Sequence, residues 1–318
     1  MKVIGLKEIC LCASVMMPMT SAASGDEYPT DAYFGDTHVH TGWSADAGFD
    51  GAVKTPVEAY RLASGEEIIA NSGIKVRLNR PYDWFMVTDH SDAMGVINKV
   101  VEGNEEMLKD DTVRGWSEAL NSGDEAAAAA AKSELIVMQS EERLPGVVMD
   151  PKWMKIAWEE TVDAAEQFYR PGEFTTFIAF EWTVNADGGN NLHRNVIYRD
   201  GAERTRPRLP LTTFQTQDPL DLWRWMADYE ESTGGQVLAI PHNGNLSNGR
   251  MFEEQQFDGS AMTKDWAELR ARYEPLFELT QMKGQSESHP ALSPEDEFAD
   301  WDIWDKGNLA VKEKEDGD

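Results

Sequence analysis

Residues 36 to 46 read Asp36-Thr37-His38-Val39-His40-Thr41-Gly42-Trp43-Ser44-Ala45-Asp46, directly after the strand-like run Ala32-Tyr33-Phe34-Gly35. On an extended strand, side chains at i and i+2 point to the same face. His38 and His40 therefore present two imidazoles side by side, which suits a shared cation such as zinc or iron. A pair of exposed or hydrogen-bonded histidines is the plainer reading of an isolated His-x-His. Asp36 before the pair, and Ser44 and Asp46 after it, add oxygen donors.

The same plan, an apolar run and then polar chemistry, recurs along the chain. Trp84-Phe85-Met86-Val87-Thr88 leads into Asp89-His90-Ser91-Asp92, and Thr175-Thr176-Phe177-Ile178-Ala179-Phe180 into Glu181-Trp182. His193 follows the polar loop Gly188-Gly189-Asn190-Asn191 and precedes Asn195-Val196-Ile197-Tyr198. Val237-Leu238-Ala239-Ile240 leads into Pro241-His242-Asn243, and Leu276-Phe277-Glu278-Leu279 into Gln281 and Lys283. Short apolar runs bounded by turn signals suit buried strands. A carboxylate such as Glu181 at a buried strand end needs a metal or a partner, of which Arg194 is the plainest.

Helices are predicted between these runs. One opens at Pro56 and runs to Ala63, with Thr55 as its cap; others span Pro151 to Tyr169 and, capped by Asp218, Pro219 to Ser232. Residues 101 to 148 form a long insertion, whose Ala-rich stretch Glu125 to Leu135 predicts a solvated surface helix. Alternating strands and helices predict parallel pairing, with chemistry at the C-terminal ends of the strands.

The 318 residues suffice for one large α/β domain or two smaller ones, and 11 Trp with 41% hydrophobic residues argue for a packed core. Residues 1 to 23 have the layout of a secretory signal peptide: Lys2 and Lys7, an apolar run from Ile9 to Met19, then Thr20-Ser21-Ala22-Ala23. That layout predicts a periplasmic or secreted protein. The run is shorter than the about 20 residues a membrane span needs. Both cysteines, Cys10 and Cys12, fall inside it, so any metal in the mature chain must be held by nitrogen and oxygen. Without the segment, 27 basic residues face 56 acidic ones, a net charge of −29. That field repels nucleic acid and anionic membranes. It admits a small anionic substrate, because a bound divalent cation dominates locally. Residues 24 to 305 are read as the folded domain and 306 to 318 as a polar tail.

Taken together, Asp36-Thr37-His38-Val39-His40 with Ser44 and Asp46, then Thr88-Asp89-His90, the strand-terminal Glu181 and Pro241-His242 resemble the PHP (polymerase and histidinol phosphatase) superfamily. Phe180-Glu181-Trp182, Asn190 to Val196, Ile240 to Asn245 and Lys283-Gly284-Gln285-Ser286-Glu287 are similar to a branch catalogued as domain of unknown function 3604. The resemblance covers roughly residues 30 to 305. It implies a distorted (β/α)7 TIM-like barrel with two or three zinc, manganese or iron ions in its mouth. It implies that His38 and His40 bind one ion and that Glu181 bridges two. His90, His193 and His242 would complete the others, Asp46 would be a further ligand, and Asp89 a ligand or a partner orienting a ring.

The chemistry this implies is metal-assisted hydrolysis of a phosphate ester. Arg194 and Arg250 are candidate phosphate clamps, since guanidinium binds phosphate in a fork. PHP sites are usually completed by a late Asp-x-His. Here Glu287-Ser288-His289 has the spacing but Glu in place of Asp. The reading that follows is a barrel incomplete at its C-terminus, ending on a strand near Leu276 to Leu279 with an open outer edge. Two alternatives compete. A secreted metal-binding protein without turnover shares the ligands. An amidohydrolase-type barrel also begins with His-x-His but needs a strand-borne lysine, and Lys283 comes too late in the chain.

Overall fold

The computed structural model describes residues 30–304 and 306–309. The proposed signal peptide and most of the polar tail lie outside the described residues. Five strands build the central sheet: β1 (Gly35–Asp36), β2 (Trp84–Met86), β3 (Thr175–Trp182), β4 (Arg194–Tyr198) and β5 (Val237–Pro241), hydrogen-bonded in that order. Among the described residues, eight helices of five or more residues accompany it: α1 (Ala45–Phe49), α2 (Pro56–Ala63), α3 (Val96–Val101), α4 (Asp111–Asn121), α5 (Glu125–Ser140), α6 (Pro151–Phe168), α7 (Pro219–Thr233) and α8 (Lys264–Tyr273). None is long and apolar enough to cross a membrane.

Local chemistry sets the helix ends. At α2, Thr55 accepts from the Glu58 amide while Glu58 reaches back to the Thr55 amide at 2.9 Å, a reciprocal cap before Pro56. Asp218 caps α7, and Gly234 ends it with φ 66°. In β1, a Cβ on Gly35 would collide with Trp84 on the neighbouring strand.

The sheet is mixed, not parallel. β1–β2 and β2–β3 pair in parallel, but β3–β4 and β4–β5 are antiparallel. β4 alone is reversed, because the eleven-residue excursion between Trp182 and Arg194 folds back on its own strand instead of crossing over through a helix. The run Leu276 to Leu279 forms no strand. It gives one backbone bond to β5, from the Glu278 amide to the Pro241 carbonyl at 3.1 Å, and leads into a small hairpin of Thr280–Gln281 with Gly284–Gln285. The outermost strand of the sheet is therefore β5.

The sheet curls into a half-barrel. In a flat sheet β1 and β5 would lie roughly 19 Å apart, four inter-strand steps. Instead the rings of His38 and His242, at the ends of those two strands, stand 4.1 Å apart. Asn195 of β4 also reaches across to the Thr37 carbonyl at 3.0 Å.

Side-chain alternation then sorts every strand residue to one of two faces. Phe85, Val87, Ile178, Phe180, Trp182, Val196, Tyr198, Val237 and Ala239 point outward into the main core under α2, α6, α7 and α8. Met86, Ala179, Ile197 and Ile240 point inward, packed with Trp84, Phe177 and Leu238. A second core, separate from the sheet, joins α1, α3, α4 and α5 around Phe49, Ile97, Trp116 and Leu135. The Ala-rich helix lies at the surface as its composition predicts, with Glu125, Ala126, Ala129, Ala130, Ser133 and Glu134 exposed, but one side of it packs: α5 buries Ala131, Leu135 and Gln139.

On the outer face, Arg194 is buried against Glu274, with Nε 2.9 Å from Oε1; Arg270 lies 3.2 Å from the other oxygen and Trp223 donates to the first at 2.8 Å. Breaking a buried pair leaves an uncompensated charge. Glu274→Ala should therefore destabilise the fold by about 3–5 kcal/mol, read as a lower urea midpoint at unchanged slope.

Candidate metal centre

The inward parity that places Phe177 and Ala179 continues to Glu181. The same rule turns His38 and His40 inward on either side of Val39, His90 two residues beyond Thr88, and His242 two beyond Ile240. His193 precedes β4 instead of following it. Because β4 is reversed, its N-terminal end lies at the same rim as the C-terminal ends of the other strands. All five histidines therefore meet at one end of the half-barrel.

Glu181 is their common partner and is fully buried. Its two oxygens divide the rings. Oε2 lies 3.2 Å from His38 Nε2 and 2.7 Å from His40 Nε2. Oε1 lies 2.6 Å from His193 Nδ1, 3.4 Å from His90 Nε2 and 3.5 Å from His242 Nε2. Asp46 joins at the rim, 2.9 Å from His40 Nδ1 and 3.7 Å from His90 Nε2.

Several rings use their second nitrogen on an orienting partner. His40 Nδ1 meets Asp46, His38 Nδ1 meets Glu278 at 2.9 Å, and His193 Nε2 meets Asn185 Oδ1 at 3.1 Å. Such partners fix ring tautomer and orientation at metal sites. Ser44 Oγ also contacts His40 Nδ1 at 3.2 Å and accepts from the His90 amide at 3.1 Å.

The donor set fits divalent metal ions. Four groups, His38–His40–Glu181, His90–Glu181–His193, His40–Asp46–His90 and His38–His242–Glu278, each bring ligand atoms within 4.8 Å of one another. Ligands about 2.1 Å from one ion in tetrahedral arrangement stand about 3.4 Å apart, close to the spacings seen. One of the facing atoms, His90 Nε2, is buried without a hydrogen-bond partner. The donors are nitrogen and oxygen, the set that zinc, manganese and iron accept.

Electrostatics supports the same fit. Burial opposes the charge on Glu181, but the surrounding rings hold its carboxyl well below the usual range, and Asp46 is likewise held low by His40 and His90. Burial pulls His90 down to about 4 and lowers His193 and His242. Burial also disfavours charge on His40, yet Asp46 and Glu181 outweigh it and lift the ring to about 10. His38 is raised by Glu181 and Glu278 against the same burial. The cluster thus combines ionised carboxylates with three rings, His90, His193 and His242, that burial keeps neutral, the form in which imidazole binds a metal ion.

Other sequence-predicted residues fall elsewhere. Asp89 has the opposite parity to His90. It is buried, accepts from the Thr41 amide and hydroxyl, and holds that loop instead of a ring or an ion. Burial lifts its carboxyl to about 6. Arg194 has the opposite parity to His193 and is spent on Glu274. Arg250 is paired with Asp187 and Glu253. Neither arginine is a free phosphate clamp. His289 accepts from the Ala291 amide at 3.2 Å and joins none of the four groups, and neither does Glu287.

The sequence reading missed Glu278 and Asn185. A lone acid inside the apolar run Leu276 to Leu279 was the available signal for Glu278. Lys283, set aside for its late position, lies close enough to Asp46 and His193 to act on both electrostatically.

Residues 27–318 match the family described as "Protein of unknown function (DUF3604)". The chain belongs to that family. No curated protein and no solved structure matches it. The family description names no activity, so the chemistry rests on the geometry.

Two outcomes test the centre. His40→Ala and His242→Ala should each lower bound zinc or manganese by elemental analysis, while His289→Ala leaves it unchanged. Metal binding should also release protons, because His40 carries one at pH 7 and must lose it to serve as a ligand. Apparent affinity should rise with pH up to about 10 and fall on acidification, by about tenfold per unit for each proton displaced. Titration calorimetry in buffers of different ionisation enthalpy measures that release.

Proposed function

We propose that this protein is a metal-dependent phosphoesterase of PHP type, working with two or three divalent ions. The carrying observation is Glu181, whose two oxygens are shared between two sets of imidazoles at the rim of a half-barrel. Glu181, His38 and His40 would hold one ion, and Glu181, His90 and His193 a second. Asp46 or Glu278 would complete a third site with neighbouring rings. Bound ions would lower the pKa of water and neutralise charge on phosphoryl oxygens.

The chain's own residues supply the rest. Asp46, Glu278 and Asn185 fix the rings, so the donors need little rearrangement when loaded. The inward-facing Met86, Ala179, Ile197 and Ile240 close the floor with apolar side chains. That floor keeps the cluster in a low-dielectric setting where charge interactions are strong. In the reaction, a water oxygen joins phosphorus, the ester P–O bond breaks, and the alcohol leaves with a proton.

A panel of phosphomonoesters and phosphodiesters, assayed with manganese, zinc or iron, tests this reading. Turnover should depend on added metal and fall by about 100-fold or more in Glu181→Gln. A fully loaded protein that hydrolyses none of them is a metal-binding protein without this activity.

A further inference from the structure

Beside the ligand cluster lies a cavity of about 970 Å³. Its walls come from α1 and the turn before it, α3, α4 and α5, and include Trp43, Phe49, Ile97, Leu120, Leu135 and Ile136. Asp46, His90, His193 and Lys283 line it as well, so the space is continuous with the ligand cluster. The volume is that of sites for drug-sized ligands, about 300–1,000 Å³, and the pairing of apolar walls with a few convergent polar groups is typical of them.

Lys283 marks the junction. Its ammonium has no hydrogen bond or ion pair among the described residues, although acids abound in this chain. The turn that carries it is held in place: the Lys283 amide donates to Gln281 Oε1 at 2.9 Å, and its carbonyl accepts from Asn245 at 3.0 Å. With Arg194 and Arg250 spent on other acids, Lys283 is the cation left to meet an anionic group beside His193. Of the acids on the cavity lining, Asp46 acts on Lys283 electrostatically but is hydrogen-bonded to His40, while others are committed elsewhere: Asp50 to Lys132, Glu102 to Lys99, Asp92 to Thr213 and Gln139, and Asp124 to the first amides of α5. None of them forms an ion pair with Lys283.

We propose that the site takes phosphate esters of bulky apolar alcohols, with the phosphoryl group between the ligand cluster and Lys283 and the apolar body in the cavity. This rests on the phosphoesterase reading for the identity of the head group. The apolar walls select the tail, and Lys283 positions the head.

Binding of three non-hydrolysable probes to the metal-loaded protein tests the assignment: methylphosphonate, phenylphosphonate and 1-naphthylmethylphosphonate, by calorimetry. Affinity should rise along the series by about tenfold or more, as apolar area is buried. Ala128→Trp and, separately, Ala129→Trp place an indole at the cavity wall and should cancel most of that gain. Lys283→Met should weaken all three probes by about tenfold, and Lys283→Arg should restore them, a charge rescue that a purely structural role would not give. Equal affinities across the series overturn the proposal, as does a gain that survives both tryptophans or binding indifferent to Lys283→Met. Hydrolysis of the matching phosphate esters is read separately. A rising series with no ester hydrolysed supports the pocket and removes the phosphoesterase reading. Hydrolysis at rates indifferent to the alcohol, with a flat series, does the reverse.

Discussion

The structure turns on one buried carboxylate. Glu181 sits fully enclosed on the inner face of β3, and a lone buried anion costs several kcal/mol unless it is matched. The match is five imidazoles drawn from four other strand ends. That demand explains three features of the fold. Every contributing strand must reach the rim with the right parity. The sheet must curl enough for His38 and His242, on its opposite edges, to approach. And β4 must run backwards, so that a histidine placed before the strand arrives where the others arrive after theirs.

The second ring nitrogens extend this demand outward. Asn185 links His193 to Gln139 at 2.8 Å, and Gln139 contacts Asp92, which in turn accepts from Thr213. The amide of α5 thus ties the inserted helices to the ring it supports. Asp92 is buried, and burial lifts its carboxyl to about 6 against the hydrogen bonds from Thr213 and Gln139. A long insertion that composition alone makes look like solvated surface is therefore anchored to the cluster through side-chain hydrogen bonds.

Much of this was legible in the sequence, because it follows from local rules. The capping residues Thr55 and Asp218 and the prolines after them mark two helix starts, and the apolar runs mark five sheet strands. The histidines stand out because each abuts such a run. What stayed hidden depends on non-local geometry. Nothing in Asn195 to Tyr198 says that it pairs antiparallel, since direction is set by the turn that precedes it. Parity was readable but unused: Asp89 beside His90, and Arg194 beside His193, must face away once the histidines face in. Leu276 to Leu279 has the composition of a strand but too few partners to become one. Glu278 meets His38 across 240 positions, a contact no local pattern encodes.

The two hydrophobic cores give this molecule a division of labour. The sheet and its outer helices own the core that fixes the ligands, whereas α1, α3, α4 and α5 own another that shapes the adjoining space. Substitutions inside the second core can remodel the walls without disturbing the strands that aim the imidazoles. A change in the inserted helices can therefore reshape that space while the rim that carries the imidazoles keeps its geometry.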